Sequence, residues 1–288
     1  MQFLRNLMGR GKPSIPAPNG VSSPIAATAS TRLKVGWVTD VGKARRHNED
    51  AALVITAAYD GDEVSPPFGL FALADGMGGH QAGEVASSLA ARIVAHHIVH
   101  HFYLPTLVRQ EHSMDQSALN EVLVNAVQAA NNAVADQVPG GGTTLTCALV
   151  LGSQVYIAHV GDSRAYIVTK ANGLDQITND HSLVGRLVEL GQLTRDGAAT
   201  HPQKNVLYRA IGQRGALEVE IHARTISGGE RLLLCSDGLW GMVSDTEIAS
   251  IVTNAPSLQA ACESLVAAAN QAGGQDNITA VLIEPPQG

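Results

Sequence analysis

The chain has 288 residues, 45% hydrophobic and 16% charged, with 26 acidic against 19 basic side chains and a formal net charge of -7. That length suits one large domain or two small ones, and the composition excludes a disordered or coiled-coil chain. The acidic balance excludes general nucleic-acid affinity, so an anionic substrate has to be attracted locally, by metals or a few arginines. Cys147, Cys235 and Cys262 are widely spaced with no C-x-x-C. They read as small buried thiols of a reducing compartment, which places the chain in the cytoplasm. No run of about 18 apolar residues marks a membrane span, and the start lacks the apolar region and cleavage site of a secretory signal.

Residues 11–31 are rich in Pro, Ser, Ala, Gly and Thr, and residues 1–31 are expected to form a flexible tail. Phe3, Leu4, Leu7 and Met8 with Arg5 and Arg10 leave a short binding helix as the alternative to a frayed terminus. Residues 33–38 alternate like a strand, 51–55 follow a polar turn, and the apolar run 70–74 ends at Asp75. Residues 84–102 and 116–137 have helical periodicity: Ala86, Ala90, Ile93 and His97 share one stripe, and Leu119, Val122, Leu123, Ala126 and Ala130 another. His96-His97 and His100-His101 offer i, i+4 pairs for a metal, but a partly solvated helix is the simpler reading. Three glycines, Gly140 to Gly142, break the chain. Strands are then predicted over 144–151, 154–160 and 164–168, with connections short enough for hairpins.

Residues 179–215 differ in kind. They hold short helical patterns at 183–190 and 194–199, with Ser182 and Thr194 as N-caps. Arg186, Arg195, Lys204, Arg209 and Arg214 face only Asp180, Glu189 and Asp196, so the insert is locally basic. Strands at 217–223 and 231–236, helices at 245–253 and 257–272, and a strand at 277–284 complete the chain. Strands come in runs and helices in pairs. This predicts an α+β fold with antiparallel sheets and helices on their outer faces.

The acidic residues share one local context. Asp75-Gly76 and Asp237-Gly238 each follow an apolar run, Glu49-Asp50 and Asp276 each precede one, and Asp162 sits in a hairpin turn. A single Asp-Gly reads as a turn. The repetition instead points to carboxylates gathered at one edge of a sandwich, the ligand type that Mg²⁺ and Mn²⁺ prefer. No His/Cys cluster with zinc spacing competes.

In chain order the sequence carries Thr39-Asp40-Val41-Gly42 with Arg45-x-x-Asn48-Glu49-Asp50, then Ala74-Asp75-Gly76-Met77-Gly78-Gly79-His80 and Gly142-Thr143-Thr144. Gly161-Asp162-Ser163-Arg164, Asp180-His181-Ser182, Ser236-Asp237-Gly238-Leu239-Trp240 and Asp276-Asn277-Ile278-Thr279 follow. Over about residues 32–284 it resembles the metal-dependent protein phosphatase family (PPM, type 2C), most closely its bacterial members. The resemblance implies a phosphatase domain over residues 32–286, folded as a four-layer α-β-β-α sandwich: two antiparallel sheets flanked by helix pairs, with residues 179–215 as a flap.

It also implies two Mn²⁺ or Mg²⁺ ions, and in bacterial members often a third. By position, Asp75 would bridge the pair and the Gly76 carbonyl would add a ligand. Asp237 and Asp276 would hold one ion, and Asp50 would support the other through water, with Glu49 behind it. Asp162 with Asp237 would take the third. Arg45 matches the arginine that grips the substrate phosphate, a task suited to a guanidinium fork. The implied reaction is hydrolysis of phosphoserine and phosphothreonine by a metal-bridging water or hydroxide. The cations lie about 3.5–4 Å apart, the metals and Arg45 neutralise phosphoryl charge, and no phosphoenzyme forms. The catalytic set is then Arg45, Asp75 and Asp237. The implied partners are phosphorylated proteins, among them a cognate Ser/Thr kinase and its substrates; a monomer is expected.

Two positions depart from the pattern. Met77 stands where animal relatives have a histidine proposed as general acid, leaving His47, His80 or a metal-bound water as candidates. Gly241 stands where some relatives place another Asp after the Trp, a departure that bears on how a third metal would be coordinated. The rivals are a catalytically silent module on the same fold and a hydrolase of small phosphorylated metabolites. The full set of acids opposes the first, and the basic flap weighs against the second.

Overall fold

The computed structural model describes residues 32–58, 66–78, 81–108, 116–169, 173–194, 197–198 and 200–286. The tail expected over residues 1–31, His80, and parts of the helix expected over 194–199 lie outside these. Strands β1 (Lys34–Asp40), β2 (Asp50–Ala57) and β3 (Phe68–Met77) come first. Helix α1 (Gln81–Ile98) runs through a π-helical turn (Val99–Tyr103) into α2 (Leu104–Val108), and α3 is Gln116–Gln137. Next are β4 (Gly142–Thr143), β5 (Leu145–Leu151), β6 (Gln154–Val160), β7 (Arg164–Thr169), β8 (Gly173–Gln176) and α4 (Leu183–Glu189). The chain continues through β9 (Glu220–Thr225), β10 (Arg231–Cys235), α5 (Asp237–Trp240), α6 (Asp245–Asn254), α7 (Leu258–Gln271) and β11 (Ile278–Glu284).

The strands form two sheets with antiparallel neighbours, ordered β1-β11-β10-β7-β8 and β2-β3-β5-β6-β9, with β4 paired to β3. Side chains alternate between faces along a strand, and here both faces are covered. Phe71 and Leu73 of β3 meet Leu232 and Leu234 of β10 and Val281 and Ile283 of β11 between the sheets. The alternate residues Leu70, Ala72 and Ala74 pack outward among α1 and α3 side chains. Leu233, Cys235, Ala280 and Leu282 pack outward among side chains of α6 and α7. The result is the four-layer α-β-β-α sandwich, and it explains why these strands read as continuous apolar runs.

Three local features differ from the sequence reading. The helix expected to end at Phe102 instead changes register at Val99–Tyr103, where the Leu104 amide bonds the Val99 carbonyl. Pro105 follows directly and has no N–H to continue the regular ladder. The strand expected from 217 begins at Glu220, and the polar strand β8 carries no apolar alternation to announce it. The N-cap at Ser182 forms, with its hydroxyl accepting the Gly185 amide.

Phe71 is fully buried at the junction of the two sheets. Phe71→Ala is expected to destabilise the fold by about 3–5 kcal/mol, the range for emptying an aromatic core site, read as a lower denaturant midpoint with an unchanged slope.

Candidate active site

Strand register sets the site. Asp50, the first residue of β2, lies directly opposite Asp75 near the end of β3. Like charges across a strand pair repel, so this pairing costs stability unless something offsets it. From the other sheet, Asp237 follows β10 and Asp276 precedes β11 by two residues. The two sheets are tied together here. Ser236 Oγ and Thr279 Oγ1 both donate to Asp50 Oδ2, at 2.8 and 2.6 Å. The Asp75 backbone is held by Thr143 and Thr144: its carbonyl accepts the Thr144 amide (2.9 Å) and the Thr143 hydroxyl (2.8 Å). Its amide donates to Thr144 Oγ1. The Asp75 and Asp237 carboxyls lie close enough to shift each other's pKa.

Asp162, in the turn between β6 and β7, is buried with its charge facing Asp237 and Asp180. Its carbonyl accepts Trp240 Nε1 at 3.1 Å. The Trp240 ring lies under the Arg164 guanidinium, 3.5 Å from its centre, and Arg164 is locked to Asp180 by two hydrogen bonds of 2.9 and 2.7 Å. At the solvent side, Arg45 Nη2 pairs with Asp276 Oδ2 at 2.7 Å, both side chains being partly exposed. The hydrogen bond and charge of Asp276 raise the Arg45 pKa. Gly76 cannot carry a side chain, because a Cβ would stand 2.3 Å from the Gly83 carbonyl oxygen and 2.6 Å from that of Glu49.

Each sequence-predicted site residue therefore has a place. Asp50, Asp75, Asp162, Asp237 and Asp276 converge, with Gly76 in the backbone beside them and Arg45 at the rim. Glu49 is arranged differently: its carbonyl accepts the Gly76 amide and Ser87 Oγ, and its carboxylate lies against Gly83 in the first turn of α1, where a helix N-terminus favours an acid. Of the general-acid candidates, His47 is held through its carbonyl by Asn277 Nδ2. Met77 packs against Gly142, its paired residue. Sequence reasoning gave no role to Asn277, which receives the Glu49 amide and donates to Val41 and His47. Ser236, Thr279, Thr143 and Thr144 were likewise missed. Their signal was available: each is a small polar residue inside or beside a buried strand, where a hydroxyl needs a partner.

The electrostatics call for cations. Burial, followed by the charges of Asp50 and Asp237, pushes the Asp75 carboxyl well above the ordinary range. Burial also raises Asp50 to about 7, Asp237 to about 6, and Asp162 strongly. Asp50 Oδ1 and Asp237 Oδ1 are buried without any hydrogen-bond partner, an arrangement that costs free energy. An all-oxygen donor set with unsatisfied carboxylate oxygens fits hard divalent cations such as Mg²⁺ or Mn²⁺.

Comparison with known proteins decides the family. The family model "Protein phosphatase 2C" matches residues 37–187. The chain belongs to the protein phosphatase 2C family. It is a serine/threonine phosphatase of that metal-dependent type. It is 39% identical over 246 residues to the serine/threonine phosphatase stp of Listeria welshimeri, covering 85% of this chain and 93% of the relative. The crystal structure of the Mycobacterium tuberculosis serine/threonine phosphatase PstP/Ppp superposes with a TM-score of 0.72 at 35% identity, over 88% of this chain and 99% of that one. The catalytic domain of PstP in complex with two manganese ions gives 0.71 at 34% identity, over 89% and 99%.

The raised carboxyl pKa values make a prediction about the metal-free phosphatase. Between about pH 4 and 7 the folded state binds more protons than the unfolded chain, so stability falls as pH rises through that window. Metal-free Tm is expected to drop from pH 5 to pH 8, and the Tm gain on adding Mn²⁺ to grow over the same range. Differential scanning calorimetry with EDTA and with Mn²⁺ measures both. The lowered pKa values of His159 and His97 offset part of this below about pH 6.5, and those of Glu220 and Glu284 oppose it only at lower pH.

Proposed function

We propose that this chain hydrolyses phosphoserine and phosphothreonine in proteins by direct attack of water on phosphorus, opposing a Ser/Thr kinase. The observation that carries the reading is the convergence of Asp50, Asp75, Asp237 and Asp276 from the ends of both sheets, with two buried carboxylate oxygens left unpartnered. In this reading Asp75, Asp237, Asp276, Asp50 and the Gly76 carbonyl hold two Mn²⁺ or Mg²⁺ ions, and Asp162 with Asp237 takes a third. Bound there, such ions supply a water that ionises near neutral pH and positive charge to offset the phosphoryl oxygens.

The chain's own residues do the rest. Ser236 and Thr279 fix the Asp50 carboxylate by one oxygen and leave the other free for the site. Thr143 and Thr144 fix the Asp75 backbone, so its carboxylate stays put when substrate arrives. Arg45 lies at the rim, half-exposed and paired to Asp276 by one nitrogen. Turning its fork to a substrate phosphate replaces one carboxylate partner with two phosphate oxygens. A covalent thiol route is disfavoured by the cysteines themselves: all three are buried, and burial pushes Cys147 and Cys262 up to about 12 and Cys235 higher still. Buried thiols also suit the reducing cytoplasm. The basic flap, with Arg186 and Arg209 on described backbone, favours protein substrates over small phosphorylated metabolites.

Asp237→Asn tests the site directly. It removes one of the mutually repelling buried charges, so metal-free stability at pH 8 is expected to rise by roughly 1–3 kcal/mol. Mn²⁺-dependent hydrolysis of phosphopeptides should fall to the level seen with EDTA, and the Mn²⁺-induced Tm gain should shrink. Undiminished turnover would count against the proposed centre, and faster hydrolysis of sugar phosphates than of phosphopeptides would count against protein substrates.

Arg45→Ala leaves the carboxylates in place and removes a phosphate grip. It is expected to raise KM at least several-fold with a smaller change in kcat. An unchanged KM in steady-state phosphopeptide assays removes Arg45 from substrate binding.

A further inference from the structure

Outside the aspartate cluster, the described residues hold one further group of metal-ligand type: His159, His181 and Glu220, whose donor atoms all lie within 4.8 Å of one another. Their hydrogen bonds decide what they do. His159 Nε2 faces two carbonyl oxygens, Gly161 at 3.0 Å and Asn179 at 3.1 Å, so it carries the hydrogen. Its Nδ1 then accepts from Thr146 Oγ1 at 2.9 Å. His181 Nδ1 accepts the Gly161 amide at 3.1 Å, and Nε2 faces Glu220 Oε2 at 3.0 Å; Arg209 Nη1, which can only donate, also stands 3.1 Å from Nε2, but the amide and the carboxylate together place the hydrogen on Nε2, pointing to Glu220. The opposite tautomer would set two N–H groups against each other at Gly161 and a lone pair against a carboxylate. Neither imidazole has a nitrogen lone pair left for a cation. The group is a clamp rather than a metal site.

What it clamps is the residue before Asp162. Gly161 has φ of +117°, and a Cβ there would stand 2.6 Å from Thr144 atoms. Both its polar groups go to His181: its amide donates to Nδ1, and its carbonyl accepts the His181 amide at 2.7 Å. On the far side, Glu220 also receives Asn179 Nδ2 at 2.8 Å and His222 Nε2. Although burial works against it, these bonds from His181 and His222 lower the Glu220 pKa, and burial holds His159 neutral with a pKa of about 4. The His181 carbonyl meanwhile accepts the Tyr208 amide at 3.0 Å, which closes the stem of the 182–207 loop.

We propose that His181, fixed by Glu220 as the Nε2–H tautomer, is a positioning residue that sets the Gly161-Asp162 turn and thereby the Asp162 carboxylate. This rests on the reading above that Asp162 helps hold a cation. Substrate does not touch His181, so KM stays near the wild-type value while kcat and Mn²⁺ binding change.

The test is a double-mutant cycle with a binding readout. His181→Phe keeps the ring volume and removes the acceptor. It is expected to lower kcat about 10–100-fold, the usual cost of removing a residue that orients a metal ligand. In calorimetric titration with Mn²⁺ it is expected to lose the weakest class of sites, as Asp162→Ala should. The double variant should be no slower than Asp162→Ala alone, because both changes act on one carboxylate. His181→Asn, whose Oδ1 stands near the position of Nδ1, should recover part of the loss. If Asp162→Ala leaves kcat and Mn²⁺ binding unchanged, the reading of Asp162 falls. If Asp162→Ala is impaired but the His181→Phe cost adds in full, the positioning role falls. Should His181→Phe not fold, long-range ¹H–¹⁵N correlation on the wild-type protein still decides: an Nδ1–H tautomer at His181 overturns the clamp.

Discussion

The structure is organised around a repulsion. Asp50 and Asp75 are set opposite each other by the β2–β3 register, and Asp237 arrives from the second sheet against Asp75. Among the described residues no arginine or lysine makes an ion pair with these three; Arg45 pairs with the outer member, Asp276, and Arg45 and Lys204 act to lower the Asp237 pKa only through space. A soluble core would ordinarily eliminate such a grouping, because each buried carboxylate is costly to ionise without a partner. Its persistence makes sense only when the missing partner is a cation from solution. The free energy of binding that cation is in part the relief of strain already stored in the protein.

Storing that strain requires a scaffold that does not relax. Two sheets covered on both faces supply it. The interior between them is filled by Phe71, Leu73, Leu232, Leu234, Val281 and Ile283, and interiors of this density do not yield to let carboxylates drift apart. The hydroxyls of Ser236, Thr279, Thr143 and Thr144 complete the arrangement. They are neutral, so they orient the acids without cancelling the charge that attracts the metals. An arginine in any of these places would stabilise the metal-free fold and weaken the site.

How far the sequence reveals this depends on the kind of information needed. Layers and strand order follow from alternation and from helices occurring in pairs, and the aspartates are conspicuous because acids seldom end buried strands. The π-turn at Val99–Tyr103 was invisible to periodicity because a single extra residue per turn changes a stripe by little, and Pro105 marks its cause only after the fact. β8 was missed because an edge strand with one exposed face needs no apolar pattern. The direction of the Glu49 side chain was not legible: it is set by the α1 N-terminus, which is brought close only by tertiary packing. The same holds for His181, since nothing local in Asp180-His181-Ser182 shows that its two nitrogens are committed to Gly161 and to Glu220, a residue 39 positions away.

The insert after β8 is attached at points that bear on the site. At one end His181 grips Gly161, beside Asp162. At the other, Ile211 pairs with Thr143 through both backbone groups, and the Thr143 hydroxyl donates to the Asp75 carbonyl. Asn131 of α3 secures that second end, its amide bonding the backbone of Gly212 and Gln213. Both attachments use backbone or fully buried side chains, whereas Leu190, Val206 and Tyr208 on the loop between them are exposed. The loop's outer surface can therefore vary without disturbing the carboxylates, while a change in either anchor is felt one residue away from a proposed metal ligand. Separating a variable outer surface from the charged site in this way needs no separate domain, only an insertion whose two ends are fastened to the backbone next to those charges.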